Sequence, residues 1–199
     1  MIREIVVGSG NADKLKELRK LLKPLGVRVY PITKFGKPPR VVEDGRTFEA
    51  NASKKARAYS LFCGKLTLAD DSGLCVNALK GAPGVYSARF AGPGCTYDDN
   101  NRKLVRLLKG KGPARRGAMF VSVVALYDRG YFVAAFRGEA RGRIVDAPAG
   151  KHGFGYDPVF VPNGMKKTFA QLSPAQKNRI SHRGKALAAA RIFLKKHFR

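Results

Sequence analysis

Hydrophobic and polar positions along this chain fall into blocks that predict alternating strands and helices. The apolar run at residues 2–7 predicts a first strand, and residues 13–23 have the spacing of an amphipathic helix that ends before Pro24. Residues 27–30 then predict a short second strand. The predicted helix presents one stripe of leucines, namely Leu15, Leu18, Leu22 and Leu25.

A second helix is predicted to begin after Thr47, which can cap it, and to end near Leu61. The apolar run Leu66–Ala69 follows as a third strand, and Asp70-Asp71-Ser72-Gly73 is expected to form a turn at the end of that strand. The inward face of the second helix is expected to hold Phe48, Ala52, Ala56 and Tyr59.

The second half of the chain predicts a hairpin and further helices. Residues 98–108 indicate a helix, and the strand-like runs 118–127 and 131–141 flank the turn signal Asp128-Arg129-Gly130. Residues 173–176 have the form of a capping box with proline at the first helical position, and an apolar-striped helix follows. The order β-α-β-α-β, then hairpin, then helix, predicts an α/β fold with a mixed sheet.

The composition predicts a soluble protein of the cell interior. The length of 199 residues suits one domain over residues 1–199, or two lobes that share one core. Hydrophobic residues make up 44% of the chain, which is enough for a sizeable core. No apolar run is long enough to cross a bilayer, and the start of the chain lacks the pattern of a signal peptide. The three cysteines have no CxxC spacing, and the three histidines have no zinc-ligand spacing. We therefore expect a cytoplasmic protein with reduced thiols.

Basic side chains far outnumber acidic ones in this chain. There are 39 lysines and arginines against 14 aspartates and glutamates, which gives a formal charge of +25. Such a charge favours a polyanionic partner, either nucleic acid or a phosphorylated small molecule, although adaptation to an unusual cell interior would produce it too. In either case, added salt should weaken the binding of anions.

Because acids are scarce, adjacent acids need an explanation. Asp70 and Asp71 follow the third predicted strand, where paired carboxylates would suit a hard cation such as Mg²⁺; the alternative is an Asx turn. Glu43 precedes the second helix, where acids favour the helix dipole, and it could instead supply a second metal ligand. Asn51 and Lys55 are four residues apart on that helix and therefore share a face.

Two glycine-rich segments could bind a nucleotide. Free backbone N–H groups in Gly8–Lys14, at the start of the first helix, could bind a phosphate, or the segment could be an ordinary turn capped by Asn11 or Asp13. In Gly150–Pro158, aromatic residues alternate with glycines, which would let a flat base stack on a ring; alternatively, the rings fill the core.

Set in order, these motifs resemble one family, the Ham1-like non-canonical purine nucleoside triphosphate pyrophosphatases (inosine triphosphatases). The resemblance spans nearly the whole chain, and the ordered set is highly specific although each motif is weak. Residues 95–117 match nothing in the family pattern and are expected to lie outside the site. The matching segments are Ser9–Lys14, Glu43–Phe48, Asn51-Ala52 with Lys55-Ala56, Ala69–Gly73, Gly81–Phe90, Gly153–Pro158 and Ile180–Arg183.

The resemblance implies an elongated mixed sheet with helices on its faces, two lobes, an active site in the cleft between them, and a homodimer. It implies hydrolysis of ITP, dITP and XTP to the monophosphate and pyrophosphate, with Mg²⁺ as cofactor and attack of water on the α-phosphate. Asp71 would be the general base and a metal ligand, and Glu43 the second metal ligand.

The same resemblance assigns the remaining site residues to the substrate. Those expected to bind the phosphates are Ser9, Gly10, Asn11, Ala12, Asp13, Lys14 and Lys55. Ser72 would also touch the substrate. Those expected to bind or cover the purine are Phe154, Gly155, Tyr156, Asp157, Lys177, His182 and Arg183.

Two other functions remain open at this point. A Maf-like pyrophosphatase for modified pyrimidine nucleotides would use a similar fold, and a panel of substrates would distinguish it. The charge alone would fit a nucleic-acid-binding protein, but the chain lacks the interleaved aromatic and basic strands of an RNA-recognition domain.

Overall fold

The structure is a computed structural model that describes residues 4–23 and 26–197. Its strands are β1 Glu4–Val7, β2 Arg28–Pro31, β3 Thr67–Val76, β4 Gly117–Asp128, β5 Tyr131–Ile144 and β6 Phe160–Pro162. Its helices are α1 Ala12–Leu22, α2 Phe48–Cys63, α3 Tyr97–Leu107, α4 Pro174–Ile180 and α5 His182–His197. Ile2, Pro24 and Leu25, which the sequence assigned to the first strand, the helix end and the leucine stripe, lie outside the described residues.

The strands form one six-stranded sheet in the order β2-β1-β3-β4-β5-β6. β1 is parallel to both β2 and β3, whereas β6 is antiparallel to β5. Parallel and antiparallel pairs therefore occur in the same sheet, and helices connect the parallel strands, as a βαβ crossover requires. The predicted α/β class with a mixed sheet is confirmed. The short strand β6 was missed in the sequence.

Local signals placed several elements correctly. Thr47 caps α2 by accepting a hydrogen bond from the backbone N–H of Ala50, and Ser173 caps α4 with a complete capping box. In the β4–β5 hairpin, Arg129 and Gly130 both have positive φ, 49° and 85°, as a two-residue type I′ turn requires. The predicted turn at these residues is therefore confirmed.

The expectation of a turn at residues 70–73 was wrong. The third strand does not end at Ala69 but continues through both aspartates to Val76. Its residues from Thr67 to Asp71 are all buried, and β4 runs alongside it in the sheet. Pairing within the sheet thus overrides the local turn preference of Asp, Ser and Gly.

The chain divides into two compact units. Unit 1 comprises Met1–Asp71, Ser122–Gly138 and Arg183–Arg199, and unit 2 comprises Ser72–Val121 and Glu139–His182. In the described ranges, no helix is both long and apolar enough to cross a membrane.

Each unit has its own core. In unit 1, helices α1 and α5 contribute buried side chains such as Leu18 and Leu187, which pack with Leu68 of β3. In unit 2, the core centres on aromatic rings: Phe120 lies 4.8 Å from Phe160 between ring centroids, and Phe160 lies 5.0 Å from Phe169. These cores fix the strands and helix ends on which the candidate site residues lie.

Candidate functional site

The two adjacent aspartates of β3 have separate sets of partners. In a strand, successive side chains point to opposite faces of the sheet. Leu68 packs in the core with α1 and α5, and Asp70, two residues on, contacts Lys14 and Arg183 from these same two helices. Asp71 instead contacts Asn51 and Lys55 of α2. The alternation of the strand thus gives each carboxylate a distinct environment.

Asp70 is the centre of a buried charge cluster in unit 1. Its Oδ2 lies 3.2 Å from Lys14 Nζ and accepts a hydrogen bond from Arg183 Nε at 3.3 Å. The Arg183 guanidinium also donates to Glu17. Burial acts to raise the pKa of Asp70, but the charges of Lys14, Arg183 and Lys55 outweigh burial and hold this pKa well below its usual range. Asp70 is therefore ionised at neutral pH.

The groups around Asp71 do not fully offset the effect of burial on its pKa. Asn51 Nδ2 donates to Asp71 Oδ2 at 3.1 Å, and Lys55 Nζ is 3.9 Å from Oδ1. Burial raises the pKa of Asp71 although Lys55, Lys14 and the Asn51 hydrogen bond act in the other direction. A nearby cation would therefore stabilise the charged form of this carboxylate.

Lys55 connects Asp71 to the predicted second metal ligand. Its ammonium is 2.8 Å from Glu43 Oε2 as well as 3.9 Å from Asp71 Oδ1. Burial acts to lower the pKa of Lys55, but the carboxylates of Asp70, Asp71 and Glu43 outweigh it and raise this pKa. Glu43 and Asp71 thus share one cationic neighbour.

The donor set fits a magnesium ion that binds together with substrate. Within residues 4–23 and 26–197, no three His, Cys, Asp or Glu side chains converge as a metal cluster. Mg²⁺ does not need such a cluster, because it usually takes one or two carboxylates and completes its shell with water and substrate phosphates. Glu43 and Asp71 provide two carboxylates beside a shared cation.

The first strand-to-helix turn is closely packed in unit 1. A Cβ on Gly8 would lie 2.4 Å from the Tyr59 ring, so only glycine fits without movement. Asn11 caps α1 by accepting a hydrogen bond from the backbone N–H of Lys14 at 3.1 Å, and Ser9 Oγ accepts from the Asn11 N–H. The interpretation of Asn11 as a helix cap is confirmed. The cap also places the positive end of the α1 dipole beside Ser9.

Unit 2 brings together the predicted purine-binding residues of the loop between β5 and β6. Asp157 Oδ2 accepts hydrogen bonds from the Phe154 N–H at 2.9 Å and from Lys177 Nζ at 2.8 Å. The same ammonium lies 5.1 Å from the centroid of the Phe154 ring. A Cβ on Gly153 would be 2.0 Å from Asp157 Oδ2, so glycine is required for this tight loop. We call Gly153–Asp157 the aromatic loop.

Two residues of the segment that was expected to lie outside the site contact the aromatic loop. Asn101 Nδ2 donates to the carbonyl of Gly155 at 3.0 Å, and the ring of Tyr97 lies 6.0 Å from that of Phe154. The Tyr156 hydroxyl is anchored separately, to the carbonyl of Ser87. No local pattern signalled the contacts of Tyr97 and Asn101, because their partners are more than fifty residues away in sequence.

The remaining predicted residues are distributed between the two units. Ser72 is half-buried in β3, at the start of unit 2. His182 is buried in unit 2 and stacks on Phe120 at 4.5 Å with nearly parallel rings. Arg183 is buried in unit 1 with Asp70 and Glu17. Gly10 is exposed, and a Cβ there would meet no other heavy atom within 4 Å. The roles assigned to these residues stay predictions.

Comparison with known proteins identifies the family. The Ham1 family pattern matches residues 5–193. The chain is similar to the dITP/XTP pyrophosphatase of Desulforamulus reducens, with 49% identity over 187 residues that cover 94% of this chain and 93% of that protein. It is also similar to the enzyme of the same name from Deinococcus deserti, with 46% identity covering 94% of this chain and 87% of that protein.

Solved structures agree with this match. A HAM1 protein from Coxiella burnetii is 40% identical, covers 98% of this chain and all of that chain, and has a TM-score of 0.88. A dITP/XTP pyrophosphatase from Mycobacterium abscessus is 43% identical, covers 94% of this chain and 98% of that chain, and has a TM-score of 0.77. The resemblance seen in the sequence motifs is therefore confirmed, and the chain belongs to the Ham1 family.

Proposed function

We propose that this protein hydrolyses the triphosphates of deaminated purine nucleosides, dITP, XTP and ITP, to the monophosphate and pyrophosphate. The observation that carries the proposal is the placement of Asp71 in unit 1, beside Lys55 and Glu43 and next to the Asp70–Lys14 pair. Nearly full-length relatives bear the name dITP/XTP pyrophosphatase. From the family resemblance we also propose a homodimer in the cytoplasm and a single domain with its site in a cleft.

The chemistry that this arrangement supports is metal-assisted attack of water on the α-phosphorus. When bound at Glu43 and Asp71, Mg²⁺ would neutralise negative charge on the phosphate oxygens. Asp71 would accept a proton from the attacking water, whose oxygen bonds to the α-phosphorus as the α–β anhydride bond breaks. The leaving pyrophosphate takes the bonding electrons, and Lys14 and Lys55 offset its charge.

The start of α1 would bind the polyphosphate. The cap by Asn11 leaves the turn Ser9–Asp13 at the positive end of the helix dipole, where backbone N–H groups bind anions. Lys14, one residue further along, is tied to Asp70 and so is held close to this turn. A lysine fixed in place loses less side-chain entropy on binding a phosphate than a mobile one does.

The aromatic loop would bind the purine ring. Phe154 offers a face for stacking, and Lys177 is a buried donor held over that ring by Asp157. A donor at this position can hydrogen-bond to the 6-oxygen of hypoxanthine or xanthine. Adenine presents a 6-amino group instead, which leaves the donor unpaired or facing another donor. The role of Arg183 at the purine stays a prediction alongside that of Lys177.

A panel of nucleoside triphosphates tests the proposed function. With Mg²⁺ present, we expect XTP, dITP and ITP to be converted to monophosphate and pyrophosphate, with ATP and modified pyrimidine triphosphates turned over far more slowly. Product analysis by ion-exchange chromatography separates the possible cleavages. Release of a diphosphate and orthophosphate would contradict the proposal, and preferential turnover of modified pyrimidines would favour the Maf-like alternative.

We expect Tyr97 to support the stacking face of Phe154. Replacement of Tyr97 by alanine removes the ring that lies 6.0 Å from Phe154. Since an aromatic pair contributes about 0.5–1.5 kcal/mol, the KM for XTP should rise about two- to tenfold while kcat changes little. Steady-state kinetics measures this, with Tyr131→Ala as the control because Tyr131 is 79% exposed in unit 1. An unchanged KM would remove Tyr97 from purine binding.

A further inference from the structure

Asn51 is a buried polar side chain of α2 that the proposed mechanism does not use. Only 1% of it is exposed. Its Oδ1 accepts a hydrogen bond from the backbone N–H of Gly45 at 2.8 Å, and its Nδ2 lies 3.4 Å from the Gly45 carbonyl. The same Nδ2 donates to Asp71 Oδ2 at 3.1 Å. One amide group thus contacts both the segment that follows Glu43 and the carboxylate of Asp71.

The contact between Asn51 and Gly45 is closely fitted. A Cβ on Gly45 would lie 2.6 Å from Asn51 Oδ1 and 2.9 Å from the Ala50 Cβ, and both distances are shorter than a non-bonded contact allows. The backbone at Gly45 therefore packs directly against α2, and a side chain at this position would have to displace the Asn51 amide or the Ala50 methyl group. Thr47 caps α2 directly after it and fixes where the helix begins. Glu43 is two residues before Gly45, so the position of Gly45 against α2 limits where the Glu43 side chain can lie.

Lys55 makes a parallel connection one turn further along α2. Its ammonium contacts Glu43 at 2.8 Å and Asp71 at 3.9 Å. Asn51 and Lys55 are four residues apart and so lie on one face of the helix. The lysine supplies charge, but an ammonium on a flexible chain gives little directional control. The planar amide of Asn51 orients its hydrogen-bonding partners without adding charge. The negative charge of Asp71 therefore stays available to a metal ion.

We propose that Asn51 is a positioning residue that sets the separation and orientation of the two metal-binding carboxylates. It acts on Asp71 through a hydrogen bond and on Glu43 through the backbone of Gly45. This inference rests on the proposed function, because that function assigns the metal to Glu43 and Asp71. Asn51 is not a catalytic residue, since its contacts are with protein groups that hold the ligands.

The test compares Asn51→Ala with the matched control Lys54→Ala. Lys54 is also on α2 and pairs with Asp44 at 2.7 Å, but this pair is exposed and does not contact Asp71. Binding of Mn²⁺ to each full-length protein is measured by electron paramagnetic resonance in the presence of a non-hydrolysable purine nucleoside triphosphate, because the ion is expected to bind together with substrate. The same solution without protein is the blank. Loss of a residue that orients metal ligands commonly costs about 10–100-fold in metal affinity, and we expect that loss for Asn51→Ala. Lys54→Ala should bind Mn²⁺ like the wild type.

A second variant, Gly45→Ala, tests the same contact independently in case Asn51→Ala does not fold. Gly45→Ala introduces a Cβ against Asn51 Oδ1 and should displace the amide while Asn51 itself is retained. We expect it to reproduce the weaker Mn²⁺ binding and to raise the Mg²⁺ concentration that half-activates XTP hydrolysis. Circular dichroism confirms that each variant is folded before metal is added.

The outcomes separate this inference from the proposed function. If wild-type protein hydrolyses XTP but folded Asn51→Ala and Gly45→Ala bind Mn²⁺ normally, the positioning role is overturned and the function stands. A lower melting temperature with unchanged Mn²⁺ affinity would likewise overturn it, because that is the result of a purely structural role. If the wild type releases no pyrophosphate from any purine triphosphate, the proposed function is overturned, whatever the variants bind.

Discussion

Replacement of Asp71 by asparagine is expected to lower kcat for XTP by about 10²–10⁴-fold, the usual contribution of a positioned general base. The amide is nearly the same size as the carboxylate, and its oxygen can still accept the hydrogen bond from Asn51. It can neither take a proton from water nor bind Mg²⁺ with a negative charge. Steady-state release of pyrophosphate at saturating Mg²⁺ measures the loss.

The same variant should not be less stable than the wild type. Because burial raises the pKa of Asp71, its carboxylate is held charged at a cost to the folded state, and the neutral amide removes that cost. Thermal unfolding without metal should therefore give an equal or higher melting temperature. Asp128→Asn, at the end of β4, serves as the control for kcat. A kcat for Asp71→Asn within threefold of the wild type would exclude Asp71 as the base.

Replacement of Asp70 by asparagine is expected to reduce the free energy of unfolding by about 3–5 kcal/mol, the typical cost of breaking a buried ion pair. The amide would leave Lys14 and Arg183 buried without the carboxylate that both contact. Urea denaturation at pH 7 measures the change. Asp44→Asn, which removes an exposed pair with Lys54, should unfold like the wild type.

The loss of stability caused by Asp70→Asn should depend on pH in a definite direction. The folded pKa of Asp70 lies below its unfolded value, so ionised Asp70 stabilises the fold at any pH above the unfolded pKa, about 4. As the pH falls below that value, the unfolded state takes up protons first and the stabilisation decreases. The difference between wild type and Asp70→Asn should therefore be constant near neutrality and shrink in acid. A difference that grows on acidification would contradict this account.

Local signals in the sequence were sufficient for much of the fold. Turn and cap residues act over three or four positions, and so the Arg129-Gly130 turn and the caps at Thr47 and Ser173 could be predicted without knowledge of the tertiary structure. The order of the elements then indicated the α/β class. The family motifs went further, because their order along the chain is far more specific than any one of them.

Long-range contacts explain what the sequence could not predict. The acids at 70 and 71 look like a turn, and only their pairing within the sheet keeps them in a strand. Asn101 reaches Gly155 across 54 positions, a contact that no local pattern encodes. Arg183 lies in the first turn of α5, in a stretch of sequence with several hydrogen-bond donors. Its contact with Asp70 depends on where α5 packs, which the local sequence does not encode.

The alternation of side chains along β3 constrains how the chain can vary. Asp70 and Asp71 differ by one position, and a shift of the strand by one residue would exchange the faces on which they lie. Asp71 would then meet the Lys14 and Arg183 side of the sheet, and Asp70 would meet α2. A single-residue insertion or deletion between Leu68 and Asp70 would thus move each acid to the opposite face of the sheet, whereas surface connections elsewhere can change length without this penalty.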